Sequence, residues 1–125
     1  MELNADRLRE LGQRFADAFA VGDVDAIVDL YAHDAVFISP NPPTLSPLFT
    51  DWVQGRDALR ACLEAVFAPL PAGTGFDTLE VLTGVDSAVV IWKMGGRIGV
   101  DTLLYDSDGL IATHFDTAPQ KSALA

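Results

Sequence analysis

Residues 78–117 read TLEVLTGVDSAVVIWKMGGRIGVDTLLYDSDGLIATHFDT, and this stretch decides the fold class. Four strand-like runs, 78–85, 87–94, 97–106 and 110–117, are parted by Gly84-Val85-Asp86, Gly95-Gly96 and Asp108-Gly109. Connections this short leave no room for a crossover, so neighbouring strands run antiparallel. Upstream the apolar period changes from two to 3.6. Asn4 can cap a helix carrying Leu8, Leu11, Phe15, Ala18 and Phe19 on one side. Val21-Gly22-Asp23 ends it, and Asp23 can cap a second helix with Val24, Ile27, Val28 and Tyr31 on one stripe. Ala35-Val36-Phe37-Ile38 reads as a short buried strand. A third helix is predicted from Arg56 to Phe67, burying Leu59, Cys62, Leu63, Val66 and Phe67, and Pro69 and Pro71 stop it. Helices first and hairpins second is an α+β order, with three N-terminal helices packed on one face of a strongly curved antiparallel sheet.

The chain has 125 residues, which fits a single domain over 1–125, and half of them are apolar. No apolar run has the length of a bilayer span, and Met1-Glu2-Leu3-Asn4 lacks a signal-peptide pattern, so a cytoplasmic protein with no membrane partner is expected. A net charge of −10 repels phosphate backbones, and the Lys and Arg residues are scattered among acids. That excludes nucleic acid as an expected partner. The single cysteine, Cys62, cannot form an internal disulfide and falls at helical spacing among apolar residues, as a structural thiol does.

Residues 39–54 contain Pro40, Pro42, Pro43 and Pro47, which deny the segment helix and regular strand pairing. It carries Leu48, Phe49 and Trp52, so it reads either as a loop packed on the core edge or as a lid over a pocket.

The last hairpin holds the chemistry. A four-residue loop, or a two-residue Ser107-Asp108 loop, sets Asp101 opposite His114; an Asp108-Gly109 turn sets it opposite Asp116. In each case the period of two puts Asp101, His114 and Asp116 on one face, close enough to exchange protons. A three-residue loop breaks the arrangement. The opposite face carries Val100, Leu104, Ile111 and Phe115 and is the more apolar one. Patterning alone would bury that face and leave the His and Asp residues in water.

Residues 21–35, VGDVDAIVDLYAHDA, resemble the second-helix signature of ketosteroid isomerases and their SnoaL-like relatives in the nuclear-transport-factor-2-like superfamily. Residues 53–59, VQGRDAL, look like their approach to the third helix, and 106–111, DSDGLI, resemble their final hairpin turn. The resemblance runs over most of the chain and implies a cone-shaped pocket between helices and sheet. The same scaffold hosts isomerases, cyclases, dehydratases, epoxide hydrolases and non-enzymes, so it is specific for fold rather than activity.

Position by position, Asp101 falls where ketosteroid isomerases keep a protonated Asp, and Tyr31 on a tyrosine that supports their oxyanion-binding Tyr. Phe15 stands at that oxyanion Tyr and Ser39 at the catalytic base, and neither side chain can do that work. The resemblance therefore implies a relative and not a true ketosteroid isomerase. It places His114, Asp116 and Ala118 on the pocket side of the last strand, with Arg97 and Leu103 also facing the pocket. The apolar face of the hairpin would then be covered by a second copy in a homodimer. The function this resemblance implies is that of a cofactor-independent acid–base enzyme, a cyclase or isomerase, acting on a hydrophobic polyketide-, terpenoid- or steroid-like molecule. Asp101, His114 and Asp116 are its candidate proton-transfer groups. Phe15, Tyr31, Ser39, Trp52, Trp92, Arg97 and Leu103 are candidates for the substrate wall, and no metal site is expected. The alternative is a non-catalytic small-molecule binder, or a dimeric interaction module, of the same fold.

Overall fold

A computed structural model describes residues 3–38, 52–68, 70, 76–94 and 96–117. Ser39, Ala118 and residues 39–51 of the proline-rich segment lie outside the described residues. Helix α1 spans Ala5–Val21; the Asn4 side chain accepts from the Arg7 N–H at 2.8 Å, and Gly22 closes the helix in the left-handed conformation at φ 70°. Its buried stripe is Leu8, Leu11, Phe15 and Ala16, each large member contributing roughly 1.5–3 kcal/mol by burial. Gly12 lets this helix lie directly on the sheet: a Cβ there would stand 2.9 Å from Val81 Cγ1 and 3.0 Å from Ala88 Cβ. Helix α3, Arg56–Phe67, buries Leu59 and Leu63 and begins at Gly55.

Helix α2 is shorter than its stripe predicts. Asp23 caps it at Ala26, but it spans only Val24–Val28, and Tyr31 opens strand β1, Tyr31–Ile38. Tertiary pairing overrides the local period here. The Leu30 carbonyl accepts from the Ile111 N–H at 2.9 Å, and Tyr31 sits beside Ile111 in a parallel ladder. His33 is consequently an exposed strand residue.

The remaining strands are β2 Trp52–Gln54, β3 Asp77–Gly84, β4 Ser87–Met94, β5 Arg97–Tyr105 and β6 Ile111–Thr117. They form one six-stranded sheet in the order β2-β1-β6-β5-β4-β3, antiparallel except for the β1–β6 pair. Helix α1 packs on β3 and β4, and α3 packs on β1 and β2, so the helices cover one face. That is the α+β architecture expected from the order of elements, with one parallel pair added.

The last hairpin resolves the open question of register. Asp106 N–H donates to the Leu110 carbonyl at 2.9 Å, which closes a three-residue loop over 107–109. Tyr105 then pairs with Ile111, but Leu104 pairs with Thr113, so one extra residue, Ala112, bulges from β6. The bulge restores the alignment that a three-residue loop alone would break: Asp101 lies opposite Asp116, and Leu103 opposite His114. It also corrects the reading of Ile111. That residue lies before the bulge, shares the inner face with Tyr105, and is 1 % exposed, whereas Leu104 and Phe115 point outward.

Candidate functional site

Two polar residues lie fully buried among the described residues: Asp101, 2 % exposed on β5, and His114, 1 % exposed on β6. Register makes them diagonal neighbours, and Nε2 of His114 meets Oδ1 of Asp101 at 2.7 Å. At the other ring nitrogen, Nδ1 meets the hydroxyl of Tyr31 at 2.6 Å, because β1 runs beside β6 and Tyr31 is wholly buried. The indole N–H of Trp92 donates to Oδ2 of Asp101 at 2.6 Å. Asp116, half-buried opposite Asp101, hydrogen-bonds the same carboxyl group. The result is a continuous polar chain, Tyr31–His114–Asp101–Trp92, with Asp116 at its more exposed side.

The rest of the lining is apolar. Phe15 meets the His114 ring edge-on at 5.3 Å between centroids and Phe37 does so at 4.6 Å. Leu103 lies opposite His114 in the ladder and is fully buried. In so dry a setting an unpaired ionised group would be costly. Burial pushes Asp101 up to about 6, with the hydrogen bonds from Asp116 and Trp92 opposing. Burial pushes His114 down to about 4, opposed by the charge of Asp116. Near neutrality the His114–Asp101 contact is therefore a hydrogen bond from a neutral imidazole to a carboxylate, and not an ion pair. Tyr31 is held well above the usual phenol range, first by burial and then by the neighbouring carboxylates, so it is a hydroxyl donor and not a phenolate.

The Tyr31–His114–Asp101 contacts admit two proton arrangements. With Asp101 ionised, Tyr31 donates to Nδ1, Nε2–H donates to the carboxylate, and the hydrogen bond from Asp116 requires that Asp116 hold a proton of its own. With Asp101 protonated, its proton can donate to Nε2, the imidazole carries its proton on Nδ1, and Nδ1–H donates to the Tyr31 oxygen. The Tyr31 proton is then released to another acceptor. Proton uptake at one end of the chain thus frees a donor at the other.

Sequence-expected residues divide accordingly. Asp101, His114, Asp116, Tyr31, Phe15, Leu103 and Trp92 are brought together. Trp52 is not: it pairs with Ile38 on the outer face and is 56 % exposed. Arg97 shares the inner face but is exposed at the start of β5, about 13 Å along the strand from Asp101. What sequence reasoning misses is the hydrogen bond from Trp92, whose alternation with Ile91 and Lys93 marks it only as wall or core. A signal for it is present, since a two-residue Gly95-Gly96 turn sets Trp92 opposite Gly99, two positions from Asp101. Arg56 is a further unanticipated support, donating from Nε to the Tyr31 carbonyl at 3.0 Å and tying α3 to the start of β1. Cys62 is half-buried, packs against the core, and its thiol is raised by burial, as an inert thiol's is.

The SnoaL-like domain family matches residues 13–118, which includes every residue of this polar chain. The chain belongs to the SnoaL-like family. A SnoaL-like protein of unknown function from Burkholderia thailandensis has the same fold, with TM-score 0.82 at 18 % identity over 95 % of this chain and 100 % of that one. An NTF2-like protein of unknown function from Mesorhizobium loti gives TM-score 0.73 at 26 % identity, covering 96 % and 97 %. A candidate ketosteroid isomerase from Kribbella flavida gives 0.68 at 19 %, covering 93 % and 80 %. The comparison with curated proteins finds no match. SnoaL-like membership confirms the nuclear-transport-factor-2-like architecture. Among the described residues no helix is long and apolar enough to cross a membrane.

One buried group lies outside the polar chain. The hydroxyl of Tyr105 is shielded from water, has no hydrogen-bond partner among the described residues, and is pushed above the ordinary phenol value by burial. Tyr105→Phe removes an unsatisfied polar atom and is expected to stabilise the fold by about 1 kcal/mol in urea denaturation. A loss of that size instead would mean that the hydroxyl has a partner in the working protein.

Proposed function

We propose that this SnoaL-like protein is a cofactor-independent acid–base enzyme, a cyclase or isomerase, acting on an apolar carbonyl-containing molecule of polyketide, terpenoid or steroid type. The observation that carries this reading is the buried Tyr31–His114–Asp101–Trp92 chain in an otherwise apolar interior. A packed hydrophobic core would be as stable without it. Asp101 and Asp116 hold and exchange the proton, His114 relays it, and Tyr31 offers its hydroxyl to the oxygen that gains charge. The reaction removes a proton α to a carbonyl: the C–H pair moves into a new C=C bond and charge onto oxygen. The enolate is then quenched either by returning the proton to another carbon or by attack on an internal electrophile that closes a ring. The same reading assigns the protein to the cytoplasm.

The test is proton exchange. A panel of apolar cyclic ketones, enones and β-ketoesters in deuterated buffer is followed by NMR for loss of the α-proton. Accelerated, saturable exchange on at least one compound is expected, and exchange no faster than in buffer across the panel would sink the reading.

One observation favours a second reading. Beside Phe15 and Trp92 the described interior leaves a cavity of only about 10 Å³, room for about one water. So small a cavity beside these rings fits a non-catalytic module whose working surface is the outer sheet face, where Phe115 and Leu104 are 39 % and 38 % exposed. Either reading includes a homodimer across that face, supported by the outward row of Ile91, Val100, Leu104 and Phe115. Sedimentation is expected to give twice the chain mass, and Leu104→Lys to give the monomer; a wild-type monomer at micromolar concentration would overturn the dimer.

A further inference from the structure

Trp92 touches both the acid and the cavity. It lies opposite Gly99 in the β4–β5 ladder, and its indole rests on that glycine's backbone: a Cβ at 99 would fall 2.0 Å from Cζ2 and 2.3 Å from Cε2. No side chain fits there, and the missing Cβ lets the ring lie across β5 so that Nε1 reaches Asp101, two residues on. Phe76 packs edge-on against the indole, with centroids 5.0 Å apart, and the ring walls the small cavity together with Phe15, Ala16, Phe19 and Val90. An apolar occupant larger than a water cannot enter that cavity without moving these rings.

We infer that Trp92, seated on Gly99, is a positioning residue that couples occupation of the apolar cavity to protonation of Asp101. This rests on the acid–base reading above for its use, but not for its physics. An occupant that lifts the indole removes one N–H donor from Oδ2, and a carboxylate that loses a donor binds its proton more tightly. Asp101 then takes a proton from solvent by way of the half-buried Asp116, and the chain passes to the state in which Tyr31 is free to donate. Among the described residues, the polar groups facing Asp101 are Trp92 from β4, His114 and Asp116 from β6, and Tyr31 from β1 by way of His114. Helix α1 presents the phenyl ring of Phe15 to this cluster and no charge. An apolar ligand thereby recruits its own proton donor, and the acid stays ionised while the cavity is empty.

The experiment needs no substrate. The carboxyl carbon of Asp101 and the indole N–H of Trp92 are followed by NMR across pH in the wild type, Trp92→Phe, Gly99→Ala and Ala16→Leu. The last variant places a tethered occupant in the cavity, and Gly99→Ala displaces the same indole from the opposite side. In the wild type the indole proton is expected to titrate together with Asp101. In each variant the Asp101 midpoint is expected to rise by about one pH unit, a tenfold gain in proton affinity. An unchanged midpoint in Trp92→Phe would overturn the positioning role. Should folded Ala16→Leu, or folded Gly99→Ala if the former does not fold, leave both the indole resonance and the midpoint in place, the coupling to the cavity is wrong. Shifted midpoints in a protein that exchanges no carbonyl substrate would retire the enzymatic reading and leave the coupling standing. Carbonyl exchange with unmoved midpoints would do the reverse.

Discussion

His114→Leu is expected to cost about 3–5 kcal/mol of stability near pH 7, the loss typical when one member of a buried, hydrogen-bonded polar pair is removed. The substitution strands Oδ1 of Asp101 and the Tyr31 hydroxyl in an apolar interior, each without its present partner. Asp101→Asn in the His114→Leu background is then expected to restore stability, whereas in the wild type it should cost some. That reversal of sign distinguishes a coupled pair from two independent buried residues.

The pH dependence sharpens the test. Asp101 is raised in the fold to about 6, so its folded form binds protons more tightly, and its contribution is lost as pH rises from the ordinary carboxylate range through 6. His114 is lowered to about 4, so its contribution has the opposite sign: stability is lost as pH falls from the ordinary imidazole range through 4. Between about pH 4 and 6 the two slopes oppose each other, and the wild type should show little net slope from this pair. His114→Leu leaves the Asp101 slope alone, so the variant should gain about 1 kcal/mol of stability per pH unit of acidification in that window. Urea denaturation at pH 4.5, 5.5 and 7.5 reads this directly. A variant that runs parallel to the wild type would mean that the two groups do not share a proton-linked site.

Asp101→Asn is expected to lower carbonyl exchange or turnover by about 100- to 1000-fold while the fold survives, the range for losing a positioned proton-transfer group together with the hydrogen-bond switch it drives. Asparagine keeps the shape, but with its oxygen accepting from Trp92 its amide N–H faces Nε2 of His114. That locks the imidazole in the Nδ1–H form and leaves no group at 101 that can take up or give back a proton. Asp116→Asn should cost less, because the half-buried side of the chain can be served by water. The rate of the wild type should change with the Asp101 midpoint near pH 6, and that inflection should vanish in Asp101→Asn. Equal loss in both variants, or an inflection that persists without Asp101, would move the acid elsewhere.

Much of this protein is legible in its sequence, for local reasons. The glycine-marked turns and apolar alternation of 78–117 name four strands, and α3 begins and ends where its sequence signals put it, because such signals are carried by adjacent residues. The period of two sets His114 and Asp116 on one face, but Asp101 joins them only because the bulge at Ala112 offsets the three-residue loop. Tyr31 is where local reading fails. Its helical spacing with Val24, Ile27 and Val28 is real, but the Leu30 carbonyl finds its donor on Ile111, far along the chain, and strand pairing takes the residue. Ile111 fails for a kindred reason, since a single bulged Ala112 reverses the faces on one side of it and not the other.

The sequence by itself therefore determined the fold class, the strand runs and the polar residues that alternate along the last two strands. The bulge that brings Asp101 onto the face of His114 and Asp116 belongs to the tertiary structure. Only the tertiary structure decided which face is buried, that Tyr31 and Trp92 complete the hydrogen bonds of that set, and that Trp52 and Arg97 do not reach it. The physical reason is that a face is chosen by what packs on it. Helices α1 and α3 cover the polar side and leave the more apolar side outward. A preference of this kind is a property of the assembled layers and is written in no single stretch of residues.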